Sequence, residues 1–288
     1  MAEYKNISLD IDDGIALLQI RRPKVFNALS WKTLDELEAA CKIALDDDKV
    51  QGIVLSAEGG AIAGADITEL ATVDSAQRGV DMCRRGQAVV AQFENANKPV
   101  VAALNGPVLG GGCELSMGAH ARVVGPRLLL GQPEVNLGII PGYGGTQRLP
   151  RLIGAARAAD LLRTGRPIKA AEACAWGWAH GEPVDDVIAA ARALIRDHLD
   201  AKITLAPVSP KALQGFSLDT DLDIGWHSKA IDGILLDVLR QGWSQTLAEG
   251  LEAEAQGFGR CIETEDVKIG LRNFIENGPR AKAEFVHR

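Results

Sequence analysis

The sequence predicts an α/β protein, and three observations support that class. Short β-prone runs come in small groups with helical stretches between them, the alternation expected of an α/β architecture. Hydrophobic residues make up 47% of the chain while aromatics reach only 5%, the composition of a tightly packed core built from small side chains. At 288 residues the chain can bury a full core, as one large domain or as a main domain with an appendage.

Taken in order, Tyr4–Asp10 and Ile15–Ile20 flank Asp12-Asp13-Gly14, a hairpin signal because Asp-Gly tolerates the positive φ angles of a tight turn. Pro23 in RRPKVFNALS stops the second strand. Ser30 is placed to cap a helix to about Leu45, with Leu34, Leu37, Cys41, Ala44 and Leu45 at helical spacing. Asp46-Asp47-Asp48 reads as a solvated turn, since nothing nearby completes a metal-ligand set. Val50–Ser56 is a buried strand and Glu58–Asp66 (EGGAIAGAD) a loop of small residues. A helix follows to about Asn95, broken near Val73-Asp74. Pro99–Leu104 is another buried strand, and ARVVGPRLLLG reads as strand-like. From Gly144 the chain turns helical in three stretches, with ends at Gly165 and Gly177, and Pro183–Leu199 adds another helix. Lys202–Asp223, with two prolines and few periodic apolar positions, is the best candidate for a linker or extended arm. The last 65 residues are helical again. Their apolar stripe of Ile231, Ile234, Leu235, Val238 and Leu239 is expected to be core or subunit contact.

Charge and cysteine usage bound the function. A net charge of −7 argues against sequence-independent binding to nucleic acid or anionic membrane, because both need clustered cations. The arginine pairs Arg21-Arg22 and Arg84-Arg85 lead into no basic run. Five widely spaced cysteines without a CxxC favour free thiols in a reducing compartment. The N-terminal MAEYKNISLDIDDG is polar and acidic, unlike a signal peptide or anchor, and no apolar run approaches the ~20 residues of a membrane span. The expectation is a cytoplasmic protein without nucleic-acid or membrane partners.

The chemistry concentrates between Asn105 and Gly145. Two isolated glutamates, Glu114 and Glu134, stand there beside glycine-rich backbone in otherwise almost uncharged surroundings. Gly110-Gly111-Gly112 leads into CELSM, which can start a helix, and N–H groups at a helix start point outward unpaired. That makes either a phosphate cradle or an oxyanion hole. No Lys-Ser or Lys-Thr follows the glycines as a P-loop requires, and neither GGGCEL nor GYGGTQ satisfies GxGxxG. Ser116 has Glu114 where a hydrolase elbow needs glycine. The five histidines show no metal spacing; His120 is the one nearest the glutamates. An oxyanion hole takes two donors from separate segments, and Ala63-Gly64-Ala65-Asp66 is the natural partner loop. Asp66 fits a helix N-cap better than a catalytic acid. Two N–H donors and two carboxylates suit enolate formation at a thioester or similar carbonyl, with donors holding negative oxygen and carboxyls moving protons. Burial should raise a carboxyl pKa, and two close carboxylates would split theirs apart. The plainer alternative is that the glutamates cap helices or pair with arginines.

RPKVFNAL (Arg22–Leu29), AGADI (Ala63–Ile67), NGPVLGGGCEL (Asn105–Leu115) and GQPEVNLGIIPGYGGTQRL (Gly131–Leu149) together resemble the crotonase, or enoyl-CoA hydratase/isomerase, superfamily. The resemblance covers roughly residues 5–200, with a weaker echo in EDVKIGLRNFIENGP. It implies a crotonase-like spiral of ββα units in residues 1–200, carrying the acyl-CoA site. Residues 201–288 would form a helical C-terminal region for oligomerisation and coenzyme A cover. It also implies a homotrimer or dimer of trimers (a homohexamer), an acyl-CoA thioester as substrate, and no metal or cofactor beyond that coenzyme A. Carried over by motif, the oxyanion donors fall on the N–H groups of Ala65 and Gly111, and the hydratase carboxylates on Glu114 and Glu134. Lys24, Val25, Phe26, Ala63, Asp66 and Ile67 would line the coenzyme A path. Having both glutamates makes the chain look like an enoyl-CoA hydratase of the kind used in fatty-acid β-oxidation. Glu114 would act mainly as base on the water and Glu134 would deliver the α-proton.

The chain departs from the family pattern at Thr68, where lysine is usual, and at Asn277, where the C-terminal phosphate-binding lysine falls, although Arg280 and Lys282 stand close by. Tyr143 replaces a small residue and should reshape the acyl pocket. Ala201–Arg260 is longer than usual, either a subunit-contact arm or a trace of relation to multifunctional β-oxidation proteins. The rival readings are an isomerase, a hydratase for a cyclic or aromatic-derived acyl group, and a non-catalytic acyl-CoA-binding homologue.

Overall fold

The computed structural model describes residues 4–288. In chain order it contains β1 (Ile7–Asp12), β2 (Ile15–Ile20), α1 (Trp31–Asp46), β3 (Gly52–Ala57), α2 (Ile67–Leu70), α3 (Ala76–Glu94), β4 (Val100–Leu104), β5 (Pro107–Leu109) and α4 (Gly111–Met117). These are followed by β6 (Ala121–Val124), β7 (Leu129–Gly131), α5 (Gly145–Ile153), α6 (Ala155–Thr164), β8 (Ile168–Lys169), α7 (Ala170–Ala175), α8 (Val187–Leu199), α9 (Lys229–Trp243), α10 (Leu247–Ile262) and α11 (Glu265–Asn277). The α/β class and the helical C-terminal stretch follow the expectation. The elements fall into two compact units of interleaved segments: Met1–Ala65, Ala88–Leu130 and Ile168–Val208 in the first, and Asp66–Gln87, Gly131–Pro167 and Ser209–Arg288 in the second.

The first unit holds a five-stranded sheet in the order β1-β2-β3-β4-β6 and a three-stranded one in the order β5-β7-β8. β1 and β2 form the expected antiparallel hairpin, with Asp13 (φ 49°) and Gly14 (φ 73°) supplying the two positive angles of its turn. From β2 through β6 the pairing is parallel, and β3 and β4 are buried along their whole length. Buried parallel strands need continuous apolar runs, which IVL and VVAAL provide. Helix α8 covers the sheet through Val187, Ala191 and Ile195, against Ile15, Val54, Val101 and Val123. A side chain on Gly52 would put its Cβ 2.5 Å from Ile195 Cγ2, so that close seat depends on glycine. Ser30 caps α1 as expected, its hydroxyl accepting from Thr33 N at 3.2 Å.

The stretch expected to be strand-like is strand, but divided. ARVVGPRLLLG is two strands in two sheets, β6 in the first and β7 in the second. A turn closed by Leu128 N donating to Gly125 O separates them, at a proline that has no N–H to continue a ladder. The two-residue β8 and the 3-10 turn at Glu134–Leu137 carry no sequence periodicity and were not expected.

The second unit is helical. Ile231, Ile234, Leu235, Val238 and Leu239 on α9 are all buried, which makes the stripe core. Helix α10 packs on α9, α5 and α11. The arm after Ser209 has no regular structure before α9, as its prolines suggested. Leu213 N donates to Trp243 O and Leu247 N to Pro210 O, both at 2.9 Å, and Phe216 sits edge-on to the Trp243 ring. Buried Arg163 forms a forked pair with Asp232 (2.7 and 2.8 Å) and donates to Asp219 O. Buried Asp266 accepts from Val286 N and His287 N, tying the chain end to α11. All five cysteines are free thiols, and no helix among the described residues is long and apolar enough to cross a membrane.

Candidate active site

In the first unit the two expected donor loops lie side by side. Ile62 N donates to Pro107 O (2.8 Å) and Leu109 N to Ile62 O (3.0 Å), so the AGADI loop and the strand entering the glycine run form a short parallel bridge. A Cβ built on Gly64 (φ 98°) would lie 3.6 Å from Gly111 N, which measures how near the loops come. Among the described residues, neither the Ala65 nor the Gly111 N–H donates a backbone hydrogen bond. Gly110 takes the N-cap position at φ 50°, ψ −127°, a conformation that side chains rarely adopt. A Cβ on Gly112 would meet Ile62 O at 2.4 Å, so glycine is what lets α4 start against the neighbouring loop.

Glu114 sits in the first turn of α4, 2% exposed, in a helix with every residue buried. The RPKVFNAL segment joins the same unit. Its Pro23–Val25 turn leads to Phe26 and Asn27, both at positive φ, and Phe26 O accepts from Ala63 N at 3.0 Å. Asn27 is buried and donates to Glu58 O and Ala61 O. This anchoring leaves Val25 and Phe26 exposed (44% and 68%), an apolar edge beside Lys24.

Glu134 belongs to the second unit, where it opens the 3-10 turn Glu134–Leu137. It is buried, and burial pushes its carboxyl up to about 8, with the charge of Glu254 adding to the effect. The Gln132 amide reaches both Glu134 oxygens at 3.0 and 3.1 Å. The orientation that satisfies both ends of the amide points its nitrogen at these oxygens. Glu254, on α10, is wholly buried and was missed by sequence reasoning. Its carboxyl accepts from Gly144 N (2.6 Å), Thr146 N (2.9 Å), Thr146 Oγ1 (2.6 Å) and Gln87 Nε2 (3.2 Å). One signal was available: Glu254 lies on the small, apolar face of α10, with Gly250, Gly257 and Phe258 at helical spacing. Trp243 Nε1 donates to Thr146 O at 2.8 Å, a second anchor for the same backbone. Tyr143, just before it, is buried with its ring over Gly86 of α3, where a Cβ would lie 2.1 Å from the ring.

The other expected residues take their places unit by unit. Asp66 is a cap, its carboxylate accepting from Thr68 N (3.2 Å) and Thr68 Oγ1 (2.7 Å) at the start of α2, whose first residue is Ile67. Thr68, in the position of the usual lysine, therefore serves the cap. His120 accepts from Val100 N and contacts Glu94 O, a bracing role within the first unit, and burial lowers its pKa. Asn277 lines a groove of about 320 Å³ together with Arg272 and Lys282. A cavity of about 650 Å³ in the second unit is lined by Val73, Ile262, Val267, Leu271 and Ile275, with Lys268 and Arg272 at its wall. Asp74, Glu263 and Glu276 also line it, so its charged groups are of both signs. No cluster of metal-ligating side chains is found among the described residues.

Comparison with known proteins places these features in a family. The Enoyl-CoA hydratase/isomerase family pattern matches residues 10–217. The chain is 35% identical to a crotonyl-CoA hydratase of Syntrophomonas wolfei, over 98% of both chains. It is 36% identical to a probable enoyl-CoA hydratase of Bacillus subtilis, over 96% of this chain and 99% of the relative. Among solved structures, the enoyl-CoA hydratase of Bacillus anthracis shares its fold at a TM-score of 0.64 and 28% identity, over 99% of this chain and all of the other. The chain belongs to the enoyl-CoA hydratase/isomerase family.

Proposed function

We propose that this protein is an enoyl-CoA hydratase, adding water to a trans-2-enoyl-CoA to give a 3-hydroxyacyl-CoA. The observation that carries the reading is the pair of adjacent loops that bear the Ala65 and Gly111 N–H groups, with Glu114 buried in the first turn of the helix the second loop enters; burial also pushes the Glu134 carboxyl up to about 8, which suits a group that gives up a proton at neutral pH. The backbone N–H groups of Ala65 and Gly111 polarise the thioester oxygen and hold the negative charge that develops there. Glu114 takes a proton from water as its oxygen bonds to C3, and Glu134 delivers a proton to C2 as the double bond becomes a single bond. Each substrate carbon gains one bond, and the enolate charge returns to neutral.

In this reading Lys24, Val25, Phe26, Ala63, Asp66 and Ile67 contact the coenzyme A portion. Tyr143 shapes the space for the acyl group. Coenzyme A enters as part of the substrate and no other cofactor is required. Residues 1–200 carry the acyl-CoA chemistry, and residues 201–288 cover coenzyme A and support a homotrimer or dimer of trimers. The free thiols and the net charge of −7 fit a cytoplasmic enzyme of fatty-acid β-oxidation. The test is turnover of crotonyl-CoA and longer trans-2-enoyl-CoAs, followed by loss of enoyl-thioester absorbance. Turnover of at least one supports hydration; no turnover across the panel refutes it.

A further inference from the structure

We propose that His227 is a positioning residue for Glu134, delivered by the irregular arm of residues 209–228: its imidazole holds Asn136, in the turn that Glu134 opens. The proposal rests on the hydratase reading, in which Glu134 delivers the α-proton. All the residues involved lie in the second unit.

The turn has few bonds of its own. Asn136 N donates to Pro133 O (3.0 Å), Gly138 N to Val135 O (3.2 Å) and Ile139 N to Glu134 O (3.3 Å). A 3-10 turn makes poorer hydrogen bonds than an α-helix, and four residues gain little from cooperativity. Its neighbours must therefore fix it. Helix α11 comes so near that a Cβ on Gly270 would lie 2.2 Å from Leu137 O. A Cβ on Gly165, at the end of α6, would lie 3.2 Å from Asn136 Oδ1. These contacts confine the turn by shape alone. The directional side-chain bond comes from the arm, where His227 Nε2 stands 2.7 Å from Asn136 Oδ1.

The imidazole is itself held in place. His227 is buried, with Nδ1 2.6 Å from Ile224 O. Trp226 stacks on its ring with centroids 4.4 Å apart, and Phe285 stacks on Trp226 in turn. The next residue, Ser228, caps α9 by accepting from Ile231 N at 3.2 Å. Farther back, Arg163 donates to Asp219 O of the arm while pairing with Asp232 on α9. An amide offers oxygen or nitrogen by rotating about its last bond, so the Asn136 contact is open to the neutral and the protonated ring alike. The arm has no helix or strand, yet it ends on the turn that carries the acid. A general acid must lie within reach of the atom it protonates, and a misplacement of about 1 Å can cost about 10²-fold.

The experiment uses the full-length protein and the variants H227N, H227Q, N136A and H227N/N136A. Glutamine carries its amide nitrogen at about the reach of Nε2 and asparagine at about that of Nδ1. H227Q therefore keeps the contact with Asn136, whereas H227N keeps only that with Ile224 O. On crotonyl-CoA, H227N and N136A should each lower kcat about tenfold while KM changes less than about threefold. H227Q should stay within about threefold of the parent in kcat. The double variant should be no slower than the slower single one, because both changes remove the same contact; multiplied losses would overturn the proposal. The second readout is hydrogen exchange in the resting protein without substrate. The Asn136, Gly138 and Ile139 amides should exchange faster in H227N and N136A, and at the parent's rate in H227Q. A loss in H227Q equal to that in H227N overturns the proposal, since the ring's packing would then be what matters. Parental kcat values in H227N and N136A overturn it too. N136A, which leaves the ring in place, decides the matter where H227N does not fold. Faster exchange in a protein that turns over no enoyl-CoA supports the brace and refutes the hydratase reading instead. Normal turnover by the parent with unchanged exchange in the variants does the reverse.

Discussion

Replacing Glu134 by glutamine should make the protein less sensitive to alkaline pH, and the structure gives the size of the effect. Burial raises the Glu134 carboxyl from 4.5 to about 8. The folded protein then holds a proton that the unfolded chain releases across that interval. Stability from this group is complete below about pH 4.5, falls between 4.5 and 8, and is lowest above 8. Each pH unit is worth about 1.4 kcal/mol, so the full interval amounts to at most about 5 kcal/mol. Domains are stable by only about 5–15 kcal/mol, so such a loss is measurable. Glutamine has the same shape and no proton to lose. The stability difference between E134Q and the parent protein should therefore grow in favour of E134Q as pH rises. Denaturant unfolding of both proteins at pH 5 and pH 9 measures it. A difference that stays constant between these pH values would refute the protonated, buried Glu134.

Three further outcomes follow from the geometry. Glu114→Gln and Glu134→Gln should each lower kcat by at least ~10²-fold, the low end for a lost general acid or base, and near-normal rates in either variant would remove that residue from its role. Gly112→Ala puts a Cβ 2.4 Å from Ile62 O. It should cost about 2 kcal/mol in thermal or chemical unfolding and lower kcat, because the loop bearing Ala65 must move. Asp66→Ala should cost about 1 kcal/mol as a lost cap while kcat falls less than ~10-fold. A loss comparable to that of the glutamate variants would make Asp66 a participant in the chemistry.

Much of the fold was legible wherever the information is local. The Asp-Gly hairpin, the Ser30 cap, the break between α2 and α3 and the helix ends at Gly165 and Gly177 each depend on residues within one turn of each other. The pairing of the AGADI loop with the glycine run was also inferable, because an oxyanion hole needs two donor segments and few stretches are small enough to approach. What stayed hidden depends on distant partners. Glu254 looks like one more helix-surface glutamate until its neighbours on the same face are counted, and its donors lie 108–167 residues upstream in Thr146, Gly144 and Gln87. The division of ARVVGPRLLLG between two sheets is decided by the strands each half meets, which composition does not record. Tyr143 attracted notice as a bulky substitution, but its seat against Gly86 comes from the approach of α3.

The long reach of Glu254 also orders events in time. A ribosome delivers the chain from its N-terminus, so the glutamate-bearing segment at 131–146 emerges more than a hundred residues before the carboxylate that grips it. Until α9 and α10 have been made, that segment lacks both the Trp243 indole and the Glu254 carboxylate. Nascent or prematurely terminated chains that stop short of α10 therefore leave the Gly144 and Thr146 backbone without the Glu254 anchor.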